Sequence, residues 1–294
     1  MDNKPTKNYS VAKESDGTIQ ITFTIAKDII SKNEEAALTE LGKDMEVSGF
    51  RKGKAPLSKV KEGVAREKYL EKTLSGILPQ LVSDAIQAEK IKPSIYPRFE
   101  LVSAEDGRDW QVRAVLCEIP TFELGDYKSQ IKKLLTQTKI WTPDSKDNKK
   151  EEKEPSRMEK EQKIIDFLLG FVKVTVPRVL IDEEVNSRLS QLLARIEKLG
   201  LTLEGYLKSI GKEATLLREE YAKQSENAIK VELILEKIGL EEKLKVTDKE
   251  IDEAISASSN DPNASANMNL PEQRGVIRTI LLRRKALDSL LTLV

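Results

Sequence analysis

The most distinctive eight residues of this sequence read Gly49-Phe50-Arg51-Lys52-Gly53-Lys54-Ala55-Pro56. Gly49 and Gly53 permit backbone angles that other residues avoid, and Pro56 stiffens the exit of the segment. One aromatic ring and three cations lie between the first glycine and the proline. Phe50 is flanked by Gly and Arg rather than by apolar residues, so a contact tip explains it better than a core position does. The segment is therefore interpreted as an exposed loop that presses against an anionic partner.

The residues that precede this loop predict a strand followed by a helix. Apolar and polar residues alternate over 19–25, which places Ile19, Ile21, Phe23 and Ile25 on one face of a half-buried strand. Residues 1–18 are polar and contain a turn signal at Asp16-Gly17. Apolar residues then recur at helical spacing, which predicts a helix from Lys27 to about Lys43.

The residues that follow the loop predict helices and then a hairpin. Helices are expected at about 57–74 and 77–90, because Ser75-Gly76 followed by Pro79 argues against one continuous helix. Strands are expected at 98–102 and 110–117, joined by a turn around Asp106-Gly107, in an antiparallel hairpin with one covered face. Residues 1–118 thus predict a small α+β domain with antiparallel strands.

The chain carries no net charge, with 49 basic and 49 acidic residues, but the charge is unevenly distributed. Residues 50–68 contain seven basic and two acidic residues, which is a plausible footprint for an acidic partner such as RNA. For the distal members, an ordinary solvated helix face is the alternative. The basic residues are Arg51, Lys52, Lys54, Lys59, Lys61, Arg66 and Lys68.

The second half of the chain predicts helices. Residues 144–160 are almost wholly charged, so 119–157 is interpreted as a linker, with 128–143 a mixed segment. Residues 158–294 are expected to form an elongated all-α domain. Its helix candidates lie at about 181–199, 203–210, 212–238, 247–259 and 272–293. Gly200, Gly211 and Gly239 are predicted to stop helices, Thr202 and Thr247 to start them, and 258–270 to form a loop.

The composition argues against an enzyme. The absence of histidine excludes Ser-His-Asp and Cys-His catalysis and His-ligated zinc, and no nucleotide-binding motif is present. We therefore expect no catalytic residue, no metal site and no cofactor. The single cysteine, Cys117, is typical of a reducing compartment. The polar N-terminus and the lack of a run of ~20 apolar residues predict a cytoplasmic protein without a membrane partner.

The basic loop and its surroundings resemble the trigger factor family, the bacterial chaperones that dock beside the ribosomal exit tunnel. The loop matches the family signature Gly-Phe-Arg-x-Gly-x-x-Pro, and 119–127, 174–180 and 199–207 are similar to other family segments. The resemblance covers 1–118 throughout. It departs from the family after residue 127, where no room remains for the FKBP-type prolyl isomerase domain of typical members.

The resemblance implies an ATP-independent chaperone. Its implied partners are the large ribosomal subunit near the exit tunnel, through ribosomal protein and rRNA, and nascent or unfolded polypeptides. Phe50, Arg51 and Lys52 fall on the ribosome-contacting positions, Gly49, Gly53 and Pro56 shape the loop, and Lys54 adds charge. The alternatives are a ribosome-independent holdase or assembly factor that forms a homodimer, a periplasmic chaperone, and a nucleic-acid-binding module.

Overall fold

The computed structural model describes residues 8–137, 156–258 and 270–293. The chain divides into two units, one of residues 1–119 with 177–180 and one of residues 120–176 with 181–294. The first unit contains β1 (Tyr9–Lys13), β2 (Thr18–Ile25), α1 (Lys27–Asp44), α2 (Leu57–Gly63), α3 (Arg66–Ala88), β3 (Arg98–Ser103) and β4 (Trp110–Cys117). The predicted α+β class and the hairpin of β3 and β4 are confirmed.

The four strands form one antiparallel sheet in the order β1-β2-β4-β3. The predicted face of β2 is confirmed, since Ile19, Ile21, Phe23 and Ile25 are all buried. Their partners across the β2–β4 ladder are Leu116, Ala114, Val112 and Trp110, which are buried on the same face. Helices α1 and α3 cover this face with their own apolar residues. Each fully buried large side chain contributes about 1.5–3 kcal/mol to folding, so this layer is the core of the unit.

Strand β1 was not predicted, because Tyr9 and Val11 are the only large apolar residues between Met1 and Gly17. Tyr9 pairs with Phe23 across the β1–β2 ladder, and their ring centroids lie 5.9 Å apart. The predicted turn at Asp16-Gly17 is confirmed, with Gly17 at a φ of 94° and its N–H donating to the carbonyl of Glu14.

The predicted break at Ser75-Gly76 was wrong. Helix α3 runs without interruption from Arg66 to Ala88 and contains Pro79, and the break falls instead between α2 and α3. Proline inside a helix costs roughly 3 kcal/mol or more. Buried side chains before and after Pro79 share one covered face, and their burial offsets this cost. Gly76 marks a close approach, since a Cβ there would lie 3.3 Å from Oδ1 of Asn33 in α1.

The second unit is helical, as predicted. It contains α4 (Tyr127–Gln137), α5 (Arg157–Phe171), α6 (Arg178–Lys198), α7 (Leu203–Ile210), α8 (Ala214–Glu241), α9 (Asp248–Ser258) and α10 (Pro271–Leu291), the first three residues of α6 being shared with the other unit. The five predicted helices agree with α6 to α10 to within three residues at each end. The predicted loop at 258–270 and the charged run from 144 fall mostly outside the described residues.

Helix α4 was missed, because it lies in the segment interpreted as mixed. Its inner face buries Tyr127 and Ile131, and the Tyr127 hydroxyl donates to Glu242 at 3.1 Å. Helix α5 begins at a capping box, in which Ser156 and Glu159 satisfy each other's backbone N–H groups. This box places a helix start directly after the predicted linker.

The predicted helix starts are confirmed. The Thr202 hydroxyl accepts the Gly205 N–H at 3.1 Å. At Thr247 the expected capping box forms, since the Thr247 N–H donates to Glu250 at 2.8 Å. The Lys285 ammonium also donates to this carboxylate, and the two donors lower the pKa of Glu250 to about 2. Helix α9 is thereby joined to α10.

Of the predicted helix stops, Gly200 and Gly211 are confirmed by positive φ angles of 69° and 64°. The prediction for Gly239 was wrong, because this residue lies buried inside α8. A Cβ at Gly239 would lie 2.8 Å from Cγ of Leu282, so glycine here permits the close packing of α8 on α10. No helix in the described ranges combines the length and hydropathy that a bilayer span requires.

The Gly239→Ala substitution should lower the free energy of unfolding by about 1–3 kcal/mol, because the added methyl group overpacks against Leu282. Gly275→Ala is the matched control. It lies in α10 with no atom within 4 Å of a new Cβ, so the better helix former should raise stability by roughly 0.5–1 kcal/mol. Urea unfolding followed by circular dichroism measures both, and equal effects of the two substitutions would contradict the close approach.

Candidate functional site

The basic loop, residues 49–56, joins α1 to α2 through two consecutive tight turns. The Phe50 N–H donates to the carbonyl of Val47 at 3.0 Å, and the Lys54 N–H donates to the carbonyl of Arg51 at 2.9 Å. Gly49 and Gly53 occupy the third position of each turn, with φ angles of 84° and 75°. This is the angle that a type II turn requires at that position, which explains the spacing of the two glycines.

Two close approaches hold the base of the loop. A Cβ at Gly42 in α1 would lie 3.1 Å from a methyl group of Val60 in α2, and Val60 is buried. The Met45 side chain lies over Gly63 at the end of α2, where a Cβ would meet its methyl group at 2.3 Å. Sequence analysis missed both contacts. They fix α1 against α2, and therefore fix the distance that the loop spans.

The tip of the loop is exposed. Phe50 is 44% exposed, and the side chains of Arg51, Lys52 and Lys54 also lie on the surface. Lys52 lies 3.9 Å from Asp44, whose side chain is 95% exposed, so solvent screens this pair strongly. Within the described residues, Arg51 and Lys54 form no ion pair. The loop thus presents an aromatic ring and three cations that are available to a partner.

The distal basic residues of the 50–68 segment are partly engaged within the unit. Lys59 pairs with Glu62 at 2.7 Å, and Arg66 donates to the carbonyl of Ala104 at 2.6 Å. Lys61 pairs with Glu34 and lies 5.1 Å from the ring centroid of Tyr69. The hydrogen bond to Glu34 raises the pKa of Lys61. The cations free to bind a partner are therefore concentrated in the loop itself.

A second candidate surface lies in the helical unit, on α7. Leu203, Tyr206, Leu207 and Ile210 recur at the spacing of one helix face, yet no residue of α7 is buried. Further exposed leucines flank the helix at Leu199 and Leu201. Leu203 and Ile210 are exposed and Tyr206 and Leu207 are half-buried, so this apolar face is still partly accessible to solvent. Sequence analysis located this helix but did not distinguish its apolar face from a core face.

No group of three or more Asp, Glu or Cys side chains within the described ranges is arranged to hold a metal ion. The exposed ring and cations of the loop and the partly exposed apolar face of α7 are suited to binding another molecule.

Two family models match the chain. The model described as the bacterial trigger factor protein matches residues 7–152, and the model of the trigger factor C-terminus matches residues 144–292. The chain therefore belongs to the trigger factor family. Because the two matches overlap, no residues lie between them for an isomerase domain, which confirms that this member lacks one at that place.

Individual relatives agree with the family models. The trigger factor of Streptococcus mutans serotype c is 32% identical over 109 residues, which are 37% of this chain and 26% of that protein. The trigger factor of Lactiplantibacillus plantarum is 33% identical over 109 residues, which are 37% of this chain and 25% of that protein. The chain thus aligns with about a quarter of the length of these relatives.

A solved structure shows the same fold. The description of that structure reads "Promiscuous Substrate Recognition in Folding and Assembly Activities of the Trigger Factor Chaperone". It aligns with 96% of this chain and 99% of its own, with a TM-score of 0.57 and 13% sequence identity. At that identity the likeness establishes the fold alone.

The Gly53→Ala substitution should destabilise the basic loop more than Gly49→Ala. Both place a side chain at a positive φ, which costs about 1–2 kcal/mol. At Gly53 the new Cβ would also lie 3.3 Å from the carbonyl oxygen of Lys43, whereas nothing lies within 4 Å at Gly49. The rates of hydrogen exchange at the Phe50 and Lys54 amides measure the stability of the first and the second turn. Equal exchange rates in the wild type and Gly53→Ala would contradict the turn geometry.

Proposed function

We propose that this chain is an ATP-independent molecular chaperone that docks at the ribosomal exit tunnel through the basic loop and shields nascent polypeptides with its helical domain. In this proposal, residues 1–118 form the ribosome-binding domain, 119–157 the connection, and 158–294 the domain that binds unfolded chains. The protein acts in the cytoplasm, where the large ribosomal subunit is its partner.

The observation that carries the proposal is the exposed tip of the basic loop within a member of the trigger factor family. A planar guanidinium binds phosphate or carboxylate with two parallel hydrogen bonds, and an exposed aromatic ring gives a rigid anchor. Cations that contact phosphates release counterions, so binding to ribosomal RNA would weaken as salt rises. The two closed turns support docking further, because a loop that is already ordered loses little conformational entropy on binding.

The apolar face of α7 supports the second half of the proposal. An unfolded chain exposes short apolar segments, and a moderately apolar face binds such segments without a deep pocket or strict sequence preference. Leu203 and Ile210 are 40% and 36% exposed, so their burial by a client would remove further apolar area from water. We assign α7 and its flanking leucines as a client-binding surface.

The ribosome-binding half is tested by co-sedimentation with purified ribosomes at low and moderate salt. The Phe50→Ala/Arg51→Ala/Lys52→Ala variant should bind ribosomes at least about tenfold more weakly, which is a loss of at least about 1.4 kcal/mol of binding free energy. The matched control is Lys59→Ala/Lys68→Ala, which removes two charges from the same basic segment outside the loop. This control should retain most of its binding.

Equal sedimentation of the triple variant and the wild type would overturn docking through the loop. If neither protein pellets with ribosomes while both suppress aggregation of a denatured client, the protein is a ribosome-independent holdase. Sedimentation velocity of the free protein then determines whether that holdase is a homodimer.

The client-binding half is tested by light scattering during dilution of a chemically denatured protein. Leu207→Ser/Ile210→Ser should require several-fold more chaperone for the same protection, because each lost apolar contact is worth ~1 kcal/mol. Glu204→Ser/Lys208→Ser alters exposed polar residues of the same helix and serves as the control. If the two double variants protect equally, α7 is not a client-binding surface.

A further inference from the structure

Lys61 differs from the other basic residues of the 50–68 segment in where its side chain lies. Of the seven basic residues in that segment, Lys61 alone is half-buried, and the other six are exposed. Its ammonium pairs with Glu34 of α1, lies 4.0 Å from Asp106 in the turn between β3 and β4, and lies 5.1 Å from the ring centroid of Tyr69 in α3. One cation of α2 therefore interacts with groups from three other elements of the unit.

The carboxylate that pairs with Lys61 is largely shielded from water. The Glu34 side chain is 19% exposed, and its Oε1 atom, which faces the Lys61 ammonium, is buried. A carboxylate that loses its cation in such a place is left with little hydration, so breaking the pair is costly. By contrast, Lys59 pairs with Glu62 inside α2, and these two side chains are 52% and 64% exposed. Solvent screens that pair, and it lies within a single helix.

Lys61 gives α2 a second point of attachment along α1. The first point is the approach of Val60 to Gly42, close to the start of the basic loop. Glu34 lies eight residues before Gly42, which is about 12 Å along an α-helix. Two contacts this far apart fix the direction of α2, whereas one contact would let the helix pivot about Val60. Because the loop leads directly into α2 at Leu57, the direction of the loop is fixed at that end as well.

We propose that Lys61 is a positioning residue of the basic loop, which orients the loop for docking through its pair with Glu34 and does not itself contact the partner. The inference rests on the proposed docking and deepens it, because it divides the basic segment by role. The loop cations bind the ribosome, and Lys61 holds the helix that follows them. A loop held in its docking geometry binds more tightly, because less conformational freedom is lost on association.

Two substitutions with opposite effects on net charge test this role in the ribosome co-sedimentation assay. Lys61→Met removes the ammonium and keeps an unbranched side chain, and it should weaken binding about fivefold. Glu34→Gln removes a negative charge, so long-range attraction to an anionic ribosome alone would strengthen its binding. The positioning role predicts a weakening of about fivefold instead, because the same pair is broken from its other side. The double variant should bind no more weakly than either single variant.

Three further variants serve as controls. Lys59→Met removes one charge from the same helix and should retain its affinity within about twofold. Lys61→Arg restores a cation opposite Glu34 and should restore binding. Lys52→Met removes a loop cation that is proposed to contact phosphate, so the slope of log K against log salt should fall by about one. Lys61→Met should keep the slope of the wild type.

Hydrogen exchange in the free protein separates positioning from a general loss of stability. The Val64 amide donates to the carbonyl of Val60 at the end of α2. Its exchange should accelerate in Lys61→Met and in Glu34→Gln but not in Lys59→Met. The amides of β2, in the core of the unit, should exchange at the rate of the wild type in all three variants.

The outcomes separate this inference from the proposed function. Tighter binding of Glu34→Gln than of the wild type, or equal binding of Lys61→Met and Lys59→Met, overturns the positioning role and leaves docking through the loop intact. A reduced salt slope in Lys61→Met also overturns it, since Lys61 then contacts the ribosome directly. Faster exchange in β2 as well as in α2 overturns it, because the pair then supports the whole unit. If the wild type does not pellet with ribosomes, the docking proposal fails and this role fails with it.

Discussion

The first unit depends on the burial of one apolar face of its sheet. Ile19, Ile21, Phe23 and Ile25 point to the same side and must be covered, and α1 and α3 cover them. This requirement keeps α3 continuous through its proline, because a break would expose part of the face. Most of the connection between α1 and α3, which contains the basic loop and α2, remains at the surface, and Val60 of α2 is its one residue in the core cluster. The exposed position of the loop therefore follows from the packing of the sheet.

The loop itself is ordered by two kinds of interaction at different distances along the chain. Within the loop, Gly49 and Gly53 supply the positive φ of each turn, and the N–H of the next residue, Phe50 or Lys54, donates the hydrogen bond that closes it. At its base, the approach of Gly42 to Val60 and of Met45 to Gly63 holds the flanking helices together. The local interactions set the direction of the tip, and the tertiary contacts set its position. An aromatic ring and three cations thus reach solvent in a defined geometry.

Local patterns predicted much of this molecule, and the errors occurred where a distant contact decides the outcome. The alternation of β2 and the capping box at Thr247 depend on neighbouring residues and were predicted correctly. Gly76 and Gly239 carry the local signal of a helix end, but each permits another helix to approach closely. Strand β1 has too few apolar residues to show the two-residue alternation of a strand. It forms because its backbone pairs with the edge of β2.

The two closed turns have a consequence for molecular recognition outside the protein. The groups proposed to dock lie within a single contiguous segment, and each turn is closed by a hydrogen bond inside residues 47–54. The geometry of this segment is therefore nearly independent of the domain that displays it. The helices supply only the spacing of its ends. A macrocyclic peptide that reproduces this spacing would carry the same ring and cations in the same order, and under the proposed docking it would compete with the protein for the ribosome.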